Sequence, residues 1–328
     1  MPERGREPGR RIGESWFVVS LAFEYLPRMA EDVRTGGQLI EARGPDEIQP
    51  EQVLAALAAG TVTIRGLREL NAESFEAITD KLPVRYFVHG MSGRDIRSAD
   101  RTIQHVGYNR YHELGLHFER AYLPGSPDIC CFAYLGGPAY DGTTSLCDGA
   151  LVLEQVESDV ARFLRENRVR YFQTVAKTEL ERAFGTSDPG RLRPMVDRVF
   201  GREPPEVDVE YAIVGSRLCV EYVTPMVATP VYNPEKTAFR CNILRDLWDQ
   251  HHPGQWNRYF ADAAGIPGRT MEDGSTIPEE VFFAVWETAQ RLRMEHAWTP
   301  GDLVLIDNKR GMHGRRGRRV GDLLSRVG

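Results

Sequence analysis

The 328-residue chain contains no CxxC pair. Its cysteines, Cys130, Cys131, Cys147, Cys219 and Cys241, are odd in number and irregularly spaced, which argues against a zinc ribbon or a dithiol redox motif. Most lie among apolar neighbours, where a thiol acts as a small buried hydrophobe, and this suits a reducing compartment. No run approaches the ~20 apolar residues that cross a bilayer, so no membrane partner is expected. Positive charge is in deficit: the net charge of -6 speaks against a general nucleic-acid binder. The first 13 residues are rich in Arg, Gly and Pro without an apolar stretch behind them, unlike a secretory leader. A cytoplasmic location is expected. Repeats and low-complexity linkers are also missing, so the expected organisation is a flexible tail over residues 1–14 and a single domain over 15–328.

What is present is ordinary globular material, 41% hydrophobic and 27% charged, enough for a core that needs no structural metal. Helices are predicted over Gln52–Ala59, stopped by Gly60, and from about Glu73 to Leu82. One longer helix is predicted over Ala150–Asn167, with Leu151, Val152, Val156 and Val160 on one side. Another runs from about Pro278 to Glu295, where Val281, Phe282, Val285, Trp286, Ala289 and Leu292 recur at helical spacing. Strands are expected at Thr61–Ile64, Asp128–Leu135, Val169–Thr174, Asp208–Ile213, Leu218–Tyr222, Phe239–Ile243 and Asp302–Ile306. Strands scattered this widely, with few helices between them, point to a mainly β jelly-roll rather than a βαβ sheet.

Two constellations can carry chemistry. In Leu116-His117-Phe118-Glu119, extended backbone sends residues two apart to one face, so the imidazole and carboxylate project together while Leu116 and Phe118 pack the other way. In Gly301–Arg316 a buried strand ends in a polar turn, and His313 stands just beyond it. Glycines on either side of Met312-His313 permit close approach by another group. Taken singly, the first is also read as a surface His beside a solvated Glu, and the second as a hairpin His capping a carbonyl. His251-His252 and His112-Glu113 are further histidine options. Two histidines and a carboxylate on one face make the facial triad suited to non-haem Fe(II), with positions left open for other ligands.

The segment LGLHFERAYLPGSPDICCFAYLGGPAYDGTTSLCDG resembles the taurine dioxygenase-like superfamily. Its HxE triplet is similar to the branch that holds clavaminate synthase and the amino-acid hydroxylases of antibiotic biosynthesis. WTPGDLVLIDNKRGMHGRR resembles the closing motif of the same family, and weaker similarity covers LAALAAGTVTIRGL and TPVYNPEKTAFRCNIL. The resemblance spans roughly residues 50–320.

It implies a double-stranded β-helix core and an Fe(II), 2-oxoglutarate and O2 dependent oxygenase. The implied metal ligands are His117, Glu119 and His313. Thr144 matches the threonine that bonds the distal carboxylate of 2-oxoglutarate. For the cation that family members also supply there, Arg326 lies thirteen residues past His313, and Arg319 comes early at six. The implied reaction is hydroxylation of an unactivated C–H in an amino acid, free or carrier-tethered, in a biosynthetic pathway, with release of succinate and CO2. Desaturation, epoxidation or cyclisation use the same cofactors. Arg120, Asn109 and Tyr122 flank the first motif, where a polar substrate could meet them. Two other classes stand beside this one: a jelly-roll binding protein without catalysis, and an anion or nucleic-acid binder using Lys309, Arg310, Arg315, Arg316, Arg318 and Arg319.

Overall fold

The fold is that of a computed structural model. It describes residues 37–86, 97–98, 100, 102–106, 114–137, 142–200, 205–214, 217–244, 268–316 and 322–328. The expected tail over residues 1–14 lies outside them, and every element below belongs to the unit Val33–Gly328.

Two sheets build the core. In spatial order the larger comprises β1 (Gln38–Glu41), β2 (Thr61–Arg65), β14 (Leu303–Asp307), β5 (Ile129–Gly136), β16 (Asp322–Val327) and β3 (Gln104–His105). The smaller comprises β13 (Met294–His296), β6 (Thr143–Asp148), β15 (Gly311–Arg316) and β4 (Leu114–His117). Cys130, Phe132, Val304, Ile306, Leu323 and Val327 from the larger sheet meet Leu146 of the smaller in one apolar cluster, so the two sheets face each other. Neighbouring strands far apart in sequence, such as β14 between β2 and β5, are the signature of the jelly-roll that the sequence led us to expect.

The other faces are covered. Helices α1 (Pro50–Leu57) and α2 (Ala72–Thr79) contribute Val53, Leu57, Phe75 and Ile78 to a cluster with Cys131, Ala133, Leu303, Leu305 and Leu324 on the outside of the larger sheet. Asn71 starts α2 with a reciprocal cap, its side chain accepting from the Ser74 N–H while the Ser74 hydroxyl accepts from the Asn71 N–H. The outside of the smaller sheet packs on α3 (Gly149–Gln155), α4 (Ser158–Glu166) and α7 (Glu279–Leu292). The same cluster takes in α5 (Lys177–Phe184), α6 (Pro189–Phe200) and a third sheet of β12 (Arg269–Met271), β7 (Arg168–Val175), β9 (Arg217–Pro225) and β8 (Asp208–Val214). A short ladder pairs β10 (Val227–Ala228) with β11 (Ala238–Phe239).

Three local expectations are corrected. The single helix over Ala150–Asn167 is two, because Val156 turns to ψ 156° and ends α3 while Glu157 opens α4. The last helix stops at Leu292, and Met294–His296 becomes a strand of the smaller sheet. The strand over Phe239–Ile243 keeps ladder pairing only at Ala238–Phe239; beyond it the Arg240 N–H still donates to the Met226 carbonyl, and the Asn242 N–H goes to Tyr171 Oη instead.

Candidate active site

β15 is hydrogen-bonded to β4, and the register sets His313 directly opposite His117. Glu119 follows two residues after His117, so three side chains separated by almost two hundred residues meet on the inner face of one sheet. Their ligand atoms all lie within 4.8 Å of one another. Glu119 Oε2 is 3.8 Å from His117 Nε2 and 3.6 Å from His313 Nε2, and the two rings stand 4.4 Å apart at 50°. His117 Nδ1 lies 2.9 Å from the Gly115 carbonyl, which holds the proton on Nδ1 and leaves the Nε2 lone pair to face the cluster. The Phe132 ring packs 5.1 Å from that of His313. Two imidazoles and a carboxylate on one side only are a donor set that fits a ferrous ion with open positions.

The backbone between the ligands is gripped twice. Phe118 N–H donates to Asn242 Oδ1 at 2.7 Å, and Asn242 Nδ2 donates back to the Phe118 carbonyl at 2.9 Å. Glu119 N–H donates to Asn308 Oδ1 at 2.8 Å, and Asn308 Nδ2 donates to the Glu119 carbonyl at 2.9 Å and to that of Pro127 at 2.8 Å. Each amide thus replaces the strand partner that this segment lacks once it leaves β4, as buried backbone polar groups require. Leu116 and Phe118 are buried in the outer cluster, as the two-residue alternation leads one to expect.

Neither asparagine stood out in the sequence as a site residue. Asn308 lies within the closing motif and Asn242 within the weaker-similarity segment TPVYNPEKTAFRCNIL, but neither segment reveals the partner, which for Asn242 is 124 positions away.

Thr144 lies on β6 directly opposite Arg315, as Leu146 lies opposite His313, so Thr144 and Arg315 share the inner face with the cluster. On its other side Thr144 is opposite His296 of β13. The Trp298 indole N–H donates to Thr144 Oγ1 at 2.9 Å, so the hydroxyl keeps its own proton to donate elsewhere. Arg120, immediately after Glu119, has φ 54°, the left-handed region that a branched or long side chain seldom adopts. Desolvation lowers its pKa, opposed by the charges of Tyr122 and Glu119. Tyr122 packs against the outer cluster.

Arg326 is not brought to this cluster. Along β16, Leu323 and Val327 join the cluster between the sheets, while Leu324 joins the outer one, and Arg326 shares the parity of Leu324. Its guanidinium donates to Thr102 Oγ1 (2.8 Å), Thr79 Oγ1 (2.6 Å), Asp80 Oδ1 (2.7 Å) and Asp100 Oδ2 (3.2 Å), with Cζ 4.1 Å over the Tyr86 ring. The expected role for Arg326 at the cluster is therefore not met: with period-two alternation, one position decides which side of the sheet a residue serves. Arg319, Arg318, Asn109, His112-Glu113 and His251-His252 lie outside the described residues. Of the remaining basic cluster, Arg310 is buried in a bidentate pair with Asp148, and Lys309 meets Asp128 at 2.8 Å.

No curated protein sequence matches the chain. Solved structures share its fold at low identity. PvcB from Pseudomonas aeruginosa, described as an Fe, alpha-ketoglutarate dependent oxygenase from an isonitrile synthetic pathway, matches at 15% identity and TM-score 0.52, over 88% of this chain and 84% of its own. A putative alpha-ketoglutarate-dependent taurine dioxygenase from Burkholderia xenovorans matches at 12% identity and TM-score 0.54, over 90% and 89%. A taurine dioxygenase from the same organism gives 13% and 0.53, over 89% and 87%. The model of the taurine catabolism dioxygenase TauD, TfdA family matches residues 26–323, nearly the whole sequence. With the fold, the His-Glu-His cluster and this match in agreement, the chain belongs to the TauD/TfdA family of iron- and 2-oxoglutarate-dependent oxygenases.

Proposed function

We propose that the protein hydroxylates an unactivated C–H of an amino acid or an amino-acid derivative, free or carrier-tethered, in a biosynthetic pathway. In this reading His117, Glu119 and His313 hold Fe(II), and Thr144 donates its hydroxyl proton to the distal carboxylate of 2-oxoglutarate. The observation that carries it is the convergence of three ligand atoms within 4.8 Å on the face that Thr144 shares. Iron, when bound, supplies O2 activation coupled to decarboxylation of the cosubstrate. The chain's own part is placement: the two amide clamps fix Glu119 against His117, and Trp298 fixes the Thr144 oxygen.

An amino-acid substrate is favoured by the likeness of the HxE segment to amino-acid hydroxylases. It is also favoured by Arg120, a cation in a strained backbone conformation beside a metal ligand, where strain tends to serve function. Arg315, opposite Thr144, takes over the cation role in this reading, since Arg326 is committed to the other face.

The test is succinate release from 2-oxoglutarate by the Fe(II)-loaded protein against a panel of free and carrier-bound amino acids, with oxidised product identified by mass. Stimulation by one amino acid, lost in Glu119→Ala, is expected. Succinate release that no amino acid stimulates would remove the substrate class, and none at all under any condition would remove the activity.

A further inference from the structure

His296 is fully buried. It stands directly opposite Thr144 on the inner face, and Arg315 stands opposite Thr144 on the other side. Residues so paired have Cβ atoms about 5 Å apart, so the three form a row across the sheet. The row's His296 end is braced from behind. Its Nε2 lies 3.3 Å from Asp302 Oδ2, and Asp302, also fully buried, takes a two-pronged contact from Arg65 Nε (2.8 Å) and Nη2 (2.7 Å). The Trp298 ring packs edge-on at 4.6 Å, and the same Trp298 bonds Thr144. Among the described residues neither His296 nitrogen has a hydrogen-bond partner: Nε2 stands at an ion-pair distance from Asp302 without bond alignment, and Nδ1 has none. Buried polar atoms are nearly always met by a protein group, water or a ligand, so an orphan here points to a missing partner.

We propose that His296 is a carboxylate-binding residue: its Nδ1–H donates to the carboxylate that Thr144 receives, completing a seat of His296, Thr144 and Arg315. The Asp302 carboxylate beside Nε2 biases the ring's orientation, as carboxylates orient working histidines elsewhere. Arg65 in turn fixes Asp302. The ligand class is a short dicarboxylic 2-oxo acid whose far end reaches this row while its 2-oxo acid end lies at the His-Glu-His cluster. The assignment rests on the cosubstrate reading above and adds to it a residue from a strand that the closing motif does not include.

The test is calorimetric binding of 2-oxoglutarate and of pyruvate, a 2-oxo acid without the distal carboxylate, to the full-length Mn(II)-loaded protein and to two variants. His296→Ala is expected to weaken 2-oxoglutarate about tenfold or more, the loss of one hydrogen bond to a charged group. It should leave pyruvate and Mn(II) binding within about twofold, because neither uses the missing donor. His296→Asn, whose amide N–H can stand near Nδ1, should recover most of the loss. An unchanged 2-oxoglutarate affinity in His296→Ala overturns this assignment alone, as does an equal loss for both acids, which marks general damage. Should the wild-type protein bind 2-oxoglutarate no better than pyruvate, the cosubstrate reading falls, and the role of His296 with it.

Discussion

Asn242 pairs with both backbone polar groups of Phe118, the residue between two proposed metal ligands, at 2.7 and 2.9 Å. It does so from the far side of the core, since its own N–H donates to Tyr171 Oη at 3.0 Å and its carbonyl accepts from Arg269. Tyr171 Oη in turn lies 3.2 Å from Cys241 Sγ. The third sheet, which carries Tyr171 and Arg269, therefore reaches the His-Glu-His cluster through one amide.

Replacing that amide should loosen the ligands before it unfolds the protein. Asn242→Ala strips partners from a buried N–H and a buried C=O, a loss of about 2–4 kcal/mol in stability. Removal of such a supporting group is expected to weaken Mn(II) affinity about 10- to 100-fold. Asn308→Ala should act the same way through Glu119. Metal titration beside urea unfolding checks this: a variant that loses stability yet keeps its metal affinity would show that the clamp serves the fold alone.

Gly314 answers for the closeness of the two histidine strands. A methyl there would stand 2.6 Å from the Leu114 carbonyl oxygen and 3.1 Å from Gly115, both on β4. Gly314→Ala must therefore push β4, and His117 with it, away from β15, at about 1–3 kcal/mol for the overpacked contact. Gly190→Ala, where the nearest atom is Asp188 Oδ1 at 3.4 Å, is the control. The expected result is weaker Mn(II) binding in the first variant and none of that effect in the second, read by metal titration.

How much of this was legible in the sequence follows from distance along the chain. His117 and Glu119 share a face by alternation alone, and the strand ending at Asp307 with a His beyond it is a local pattern, so both could be read. The jelly-roll followed from strands scattered without regular helices between them. Asn242 and His296 could not be read, since each acquires its partner through strand order and register. Arg326 failed for a related reason: spacing along a strand fixes distance, but only the ladder tells which side of the sheet a residue faces. The break at Val156 was hidden because the apolar residues continue in helical phase across it.

Metal should stabilise the folded chain. Ions that bind only the native state raise its stability by mass action, about 2.7 kcal/mol at a hundred times the dissociation constant. Mn(II) or, without oxygen, Fe(II) is expected to raise the melting temperature of the wild-type protein, and a chelator should reverse the gain. Glu119→Ala and His313→Ala should show little or no rise, read by calorimetric melting. A rise of the same size in either variant would place the ion elsewhere.

The Asp302–Arg65 pair sets how the fold answers acid. Burial alone would push the Asp302 carboxyl up, but hydrogen bonding from Arg65, the contact with His296 and the Thr299 N–H outweigh it and hold the group at about 2. A carboxylate whose folded value lies below its unfolded value stabilises the protein above the unfolded value, and that stabilisation is lost as pH falls through the folded one. Here the window runs from about 4 down to about 2, and the full contribution is about 2 kcal/mol. Asp302→Asn removes the charge, so the stability gap between wild type and variant should be constant from neutral pH to about 4 and narrow steadily below it. Urea unfolding across that range measures the gap. A gap that stays constant down to pH 2 would mean that the Asp302 charge is not what the Arg65 fork holds.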